Sequence, residues 1–369
     1  MPPLSLLLKP ASSACNLRCA YCFYTDEAQK RQVANYGMMP EEVARAVVDK
    51  ALAEAEGSIS FLFQGGEPTL AGLEFYRRFT ALVEERAPKG LAVHYAIQTN
   101  GTLLDEEWCR FFSGKRFLVG LSLDGNRACH DHFRRDGAGR GTYDQVVRAS
   151  RLLDRAGAEY NILAVVTNHL ARHIQSVFSS LCKSGFRFQQ YIPCLDPLDE
   201  TRGGNSYSLS PAQYGNFLKA LFDLWYQELE RGEYYSIRFF DNLVWMLAGR
   251  QPEQCSMRGC CSNQYLIEAD GSVYPCDFYG LDPYKIGNVR NNSWRQLDQA
   301  RKELGFVEQS QRVPEECCVC RWYALCRNGC RRDRLRVKDE LGKNYYCESY
   351  AAFFDYAMPR LRRVRAMIQ

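Results

Sequence analysis

The chain has no apolar stretch approaching the length needed to cross a bilayer, which argues against a helical membrane protein. Charge of one sign is equally scarce. Against 43 acidic residues stand 47 basic ones, a formal net charge of +4 over 369 residues, so nothing marks a nucleic-acid partner. The start, Met1 to Lys9, lacks a basic segment, and its apolar run is too short for a signal peptide. A cytoplasmic location is expected. Histidine is rare: His94, His130, His132, His169 and His173 form no H-E-x-x-H or comparable set, and none is given a catalytic role. No internal repeat or low-complexity tract stands out.

Cysteine is what the chain has in excess. Seventeen is an odd number in a long chain without an export signal, which disfavours a disulfide framework and favours metal ligation. Three stand near the start as C-x-x-x-C-x-x-C, Cys15, Cys19 and Cys22, directly after the apolar run Leu4 to Leu8. Three thiolates so spaced can hold three irons of a four-iron cluster and leave the fourth open to a small chelating molecule. Tyr21 and Phe23 flank Cys22, as in loops that clamp S-adenosylmethionine (SAM). Ten more cysteines lie between Cys255 and Cys347; Cys109, Cys129, Cys182 and Cys194 are scattered and read as small buried apolar residues.

From residue 5 to about 192, β-rich runs alternate with helical patterns. Strands are expected at Leu4–Lys9, Ser58–Gln64, Ala92–Thr99, Phe117–Leu123, Tyr160–Val166 and Phe186–Ile192, with helices between them. Six repeats without a reversal imply an α/β fold, a partial (β/α)6 TIM-type barrel open on one side. Five strand ends carry turn-like segments: the cysteine loop, Gln64-Gly65-Gly66-Glu67-Pro68, Gln98-Thr99-Asn100-Gly101, Ser122-Leu123-Asp124-Gly125 and Cys194-Leu195-Asp196-Pro197. Strand ends at that face are where barrel enzymes keep their sites. The expected organisation is a barrel at 1–200, a helical linker region at 201–250, a cysteine-rich domain at 251–350 with one hairpin (Tyr265–Glu268 and Ser272–Tyr274), and a last helix packing back on the barrel at 351–369.

Read alone, the C-terminal cysteines suit either structural zinc or iron–sulfur; the open N-terminal motif favours the latter. Two closed four-iron clusters are available if Cys255, Cys261, Cys276 and Cys330 hold one and Cys317, Cys320, Cys326 and Cys347 the other. Cys260 beside Cys261, and Cys318 beside Cys317, leave two registers open.

The cysteine loop, Gly65-Gly66-Glu67-Pro68 after a strand and the C-terminal array resemble radical SAM enzymes with a SPASM domain. The runs Phe63 to Leu73, Phe117 to Ser122 and Asp270 to Tyr279 resemble, more narrowly, the anaerobic sulfatase-maturating enzymes. The resemblance implies three 4Fe-4S clusters and SAM, bound by Tyr21, Gly66, Glu67, Ser122, Arg134 and Leu195. In it Gly65 and Gly66 admit the methionine part of SAM, and Glu67 pairs with its ammonium. It favours Cys261, ten positions before Gly271, and makes Asp277 the base in oxidation of a sulfatase cysteine or serine to Cα-formylglycine. Gln64, Tyr24 and Arg238 are weaker candidates for touching the substrate peptide.

The implied partners are an unfolded or nascent sulfatase carrying a C/S-x-P/A-x-R motif and a flavodoxin or ferredoxin; no nucleic acid, no membrane and a monomer are expected. The alternative is a maturase forming thioether crosslinks in a ribosomal peptide. Such enzymes commonly carry an N-terminal leader-binding domain, whereas the barrel here is expected to begin within five residues of Met1.

Overall fold

The computed structural model describes residues 4–262, 264–337 and 340–367. Strands β1 (Leu4–Leu8), β2 (Ser58–Phe63), β3 (Ala92–Thr99), β4 (Phe117–Ser122), β5 (Tyr160–Val166) and β6 (Phe188–Pro193) alternate with helices. These are α1 (Phe23–Gln29), α2 (Glu41–Glu54), α3 (Leu73–Arg86), α4 (Glu106–Gly114), α5 (Arg127–Phe133), α6 (Tyr143–Ala156), α7 (Asn168–Arg172) and α8 (Ile174–Lys183). The class is α/β, as the alternating pattern implies. Residues 1–123, 131–161 and 263–305 form one compact unit, and 124–130, 162–262 and 306–369 another.

In the first unit β1, β2, β3 and β4 lie side by side in sequence order, every pair parallel. Apolar side chains alternate inward along β2, where Ile59, Phe61 and Phe63 are buried. Phe63 meets Tyr76 and Phe79 of α3 with centroids 5.0 and 5.2 Å apart, edge to face, and Tyr95 stacks on Phe117. Each such buried ring contributes on the order of 2–3 kcal/mol. The helices start where the chain supplies partners for free N–H groups: Asp105 accepts from the amides of Glu107 and Trp108 at the head of α4. Gly157 ends α6 in the left-handed conformation, φ 65°.

The expected hairpin forms, as β8 (Tyr265–Ile267) and β9 (Ser272–Tyr274), and it lies in the first unit. Strand β8 pairs in parallel with β1, Leu6 opposite Tyr265 and Leu8 opposite Ile267, and β10 (Gly287–Asn288) adds beyond β9. Seven strands thus run in the order β10-β9-β8-β1-β2-β3-β4. A three-residue strand carries too little alternation to announce its neighbour; here a buried Tyr-Leu-Ile run completes the free edge of β1.

In the second unit β5, β6 and a two-residue β7 (Ser236–Ile237) are parallel. The helical region expected at 201–250 holds α9 (Pro211–Glu230) and α10 (Arg238–Leu247). A capping box, Ser210 with Gln213, starts α9. The last helix, Cys347–Met367, packs on α9 and α10: Phe353 meets Phe222 and Phe240, each at 5.8 Å. Helices of the presumed linker are therefore what the terminal helix covers.

Candidate active site

Three strand ends of the first unit build the cysteine loop. After β1 the chain turns through Ser12 (φ 50°), and the loop is bonded back to the end of β2: Gly66 N–H donates to Ser12 O (2.9 Å) and Glu67 N–H to Ala14 O (2.7 Å). A Cβ on Gly66 would stand 2.0 Å from Ala14 O, so this glycine admits the backbone leading to Cys15. The room left by its missing side chain is filled by polypeptide.

Glu67 is held inside the fold. Its carboxylate is 1% exposed and takes hydrogen bonds from Thr69 N (3.1 Å), Thr69 Oγ1 (2.5 Å), Thr99 Oγ1 (2.6 Å) and Asn100 N (2.7 Å). Burial still pushes it above the usual carboxylate range. With these four donors it ties the end of β2 to the end of β3. Asn100 in turn donates to Asn16 Oδ1 (2.9 Å) and sits 3.9 Å from Cys15 Sγ. Thr99 and Asn100 were missed in the sequence as more than a turn.

The thiols of Cys15, Cys19 and Cys22 are half-buried and in no disulfide. Burial raises Cys15 to about 11, with Cys22 close enough to add to the effect. An amide from Leu17 reaches Cys15 Sγ at 3.4 Å, and Arg134 lies 4.0 Å from Cys19 Sγ with its guanidinium 5.4 Å over the Tyr21 ring. Three soft sulfur donors ringed by N–H groups and a buried cation fit an anionic iron–sulfur cluster. Ser122, buried at the end of β4, accepts from Gln98 (3.0 Å). Leu195 lies in the second unit, half-buried on the loop leaving β6.

The first unit also holds Asp277. The residue is 7% exposed; Oδ2 accepts from Tyr24 Oη (2.8 Å) and Gln64 Nε2 (2.6 Å), and Oδ1 is buried with no partner among the described residues. Burial pushes it up to about 7; Lys9 pulls down and Glu27 pushes up. So Tyr24 and Gln64, expected against a substrate peptide, hold the carboxylate. Beneath them lies an ionic group that sequence reasoning missed. The Lys9 ammonium, wholly buried, is 3.3 Å from Glu27, 3.2 Å from Glu268 and 4.6 Å from the centre of the Tyr24 ring, and Arg31 meets Glu268 at 2.5 Å. Arg238 is in the second unit, paired with Glu253 (2.9 Å) and Gln190 (3.1 Å).

In that unit Cys326 is pushed up to about 12 by burial and by Cys347, Cys317 and Cys320 around it, so those four thiols face one another. Cys318 is exposed, its thiol turned to Pro314 O, whereas Cys317 is buried. Burial raises Cys330 strongly, with Cys261 and Cys255 beside it, whereas Cys260 lines a surface hollow with Tyr323 and Arg327. Cys276, the remaining expected ligand, follows β9 in the first unit, next to Asp277. The four thiols around Cys326 fit a closed cluster by donor chemistry, and Cys330, Cys261 and Cys255 offer three sulfur donors of the same kind.

Residues 10–177 match the Radical SAM superfamily and 255–321 the SPASM iron–sulfur cluster-binding domain. The chain is 47% identical to the cysteine-type anaerobic sulfatase-maturating enzyme of Clostridium perfringens (strain 13 / Type A), over 99% of each. It is 30% identical to the serine-type enzyme of Bacteroides thetaiotaomicron, covering 97% of this chain and 90% of the relative. Native anSMEcpe solved with AdoMet and the Cp18Cys peptide superposes over the full length of both chains, with TM-score 0.95 at 46% identity. Identity of this order along the whole length settles the kinship: the chain belongs to the anaerobic sulfatase-maturating enzymes, radical SAM enzymes with a SPASM domain.

Proposed function

We propose that the protein oxidises an active-site cysteine of a sulfatase polypeptide to Cα-formylglycine, with Asp277 as the base. The observation that carries this is the half-satisfied Asp277 carboxylate: one oxygen fixed by Tyr24 and Gln64, the other buried and unpartnered. When bound, SAM on a cluster held by Cys15, Cys19 and Cys22 supplies the radical that removes a hydrogen atom from the substrate Cβ, and the C-terminal clusters accept the electron left behind. Oδ1 takes the thiol proton, so the substrate sulfur loses one proton and the carbon one hydrogen atom and one electron; water then replaces sulfur as hydrogen sulfide leaves. Tyr24 and Gln64 keep the carboxylate aimed and shield it from solvent.

In this reading residues 1–200 bind SAM, with Tyr21, Gly66, Ser122 and Arg134 around it, and 251–350 hold the two further clusters. The partners are an unfolded or nascent sulfatase with a C-x-P-x-R motif, the serine form being second choice, and a flavodoxin or ferredoxin; the enzyme works as a monomer. The kin at higher identity are the cysteine-type enzymes, which favours cysteine. The test is anaerobic incubation with SAM, a reductant and C-x-P-x-R or S-x-P-x-R peptides, read by mass. Conversion of thiol to aldehyde, faster than hydroxyl to aldehyde, is the expected result; a crosslinked peptide without aldehyde overturns it.

A further inference from the structure

Three residues that the chemistry above leaves unused come together in the second unit. His169 and His173 are four positions apart on and just after α7, so their rings share one helix face, with centroids 4.6 Å apart. The helix is fixed at its start by Thr167, whose hydroxyl accepts from Leu170 N–H. Cys129 arrives from α5, 4% exposed, its own N–H bonded to Asn126 Oδ1 (3.0 Å). One donor atom from each of the three lies within 4.8 Å of the other two. Tetrahedral Zn–N and Zn–S bonds require donor separations of about 3.5 Å, a difference that small rotations of two imidazoles close.

A second observation concerns the nitrogen that would bind. Nδ1 of His173 is 2.8 Å from the His169 carbonyl oxygen. A carbonyl oxygen only accepts, so Nδ1 carries the proton, and the neutral ring presents its lone pair at Nε2. Histidines that ligate metals are commonly oriented this way, one ring N–H given to a carbonyl so that the other nitrogen is left as a ligand. Burial is graded across the cluster: Cys129 is buried, His169 half-buried and His173 exposed, so an ion has a path from solvent and a fourth position remains for water.

We propose that Cys129, His169 and His173 form a further metal site, apart from the cluster cysteines, that takes a borderline divalent cation, Zn²⁺ by donor type. Two imidazoles and a thiolate contain no hard oxygen, which disfavours Mg²⁺ and Ca²⁺. On binding, the Cys129 sulfur releases its proton and a Zn–S bond forms; no electron moves. The ion clips α5 to α7. The segment around Cys129 is already tied to this unit by Val165 N–H to Asp124 (2.9 Å) and Asn126 to Ser176 (3.2 Å), so the clip reinforces an existing arrangement.

The test uses holoenzyme with its clusters intact, purified anaerobically, equilibrated with zinc chloride in a chelator-buffered solution and then desalted. About one zinc per chain beyond the cluster iron is expected. It should vanish in His169→Ala/His173→Ala while iron and sulfide stay unchanged, because those side chains are on or near the surface. Zinc-edge X-ray absorption should show nitrogen with a single sulfur, and Cys129→Ser should remove that sulfur. Zinc retained equally by the double histidine variant, a shell of sulfur alone, or no zinc in the parent enzyme would overturn the proposal. If Cys129→Ser does not fold, the histidine pair still decides.

Discussion

The Tyr24 hydroxyl donates a 2.8 Å hydrogen bond to Asp277 across 253 positions of chain, joining the end of the cysteine loop to the turn after β9. That contact and the Gln64 amide leave the carboxylate one usable oxygen. Asp277→Asn keeps the shape but removes the base. Formylglycine formation should fall by about 10²-fold or more, while 5′-deoxyadenosine is still made, so the ratio of the two products rises. Equal loss of both would assign Asp277 to cofactor binding.

The pH profile follows from the same site. Asp277 is buried, facing Tyr24, Gln64, Lys9 and Glu27, and titrates at about 7. Proton acceptance needs the carboxylate, so kcat/KM should rise about tenfold per pH unit up to about 7 and then level. In Asp277→Asn residual activity should lose this limb. Stability has the opposite slope: a carboxyl whose folded pKa is raised keeps its proton while the unfolded chain has lost it. Stability therefore falls as pH climbs from the ordinary carboxylate range to about 7. Asp277→Asn should be the more stable protein at pH 8, measured by anaerobic thermal melting.

Beneath Tyr24, Lys9 is enclosed by Glu27 and Glu268. Burial works against the charge on Glu268, but Lys9 and Arg31 outweigh it and hold that carboxyl below its usual range. Lys9→Met leaves buried carboxylate charge uncompensated and should cost about 3–5 kcal/mol of stability. Lys9→Met/Glu27→Leu removes the charge left without a partner, since Arg31 still serves Glu268, and should recover most of the loss. Urea unfolding of the three proteins checks the order; a double variant no better than the single one would discard this account.

Much of this was legible in the sequence because it is written in short-range pattern. The strands end within about two residues of where alternation and turn residues place them, and Cys15, Cys19 and Cys22 declare themselves by spacing. What was not legible is contact between distant segments. Lys9 reads as the polar end of an apolar strand, and nothing in the sequence links it to Glu27, Arg31 and Glu268, because no local period reports a buried ion pair. Tyr265 to Ile267 is too short to reveal that β1 is its neighbour. The bonds from Thr99 and Asn100 to Glu67 were not legible either, because they join the end of one strand to the end of another.

The glycine pair gives the sharpest local test. In Gly66→Ala the new methyl would stand 2.0 Å from Ala14 O and 2.7 Å from the Ser13 carbonyl carbon, both backbone atoms that cannot swing aside. The loop before Cys15 must move, and the hydrogen bonds from Gly66 to Ser12 and from Glu67 to Ala14 must break with it. The thiols around Cys317 and Cys330 belong to the other unit and are untouched. Iron per chain should therefore drop from about twelve to about eight, with SAM cleavage abolished and the remaining clusters intact by electron paramagnetic resonance. A variant that keeps all its iron would show that Gly66 serves something other than this close approach.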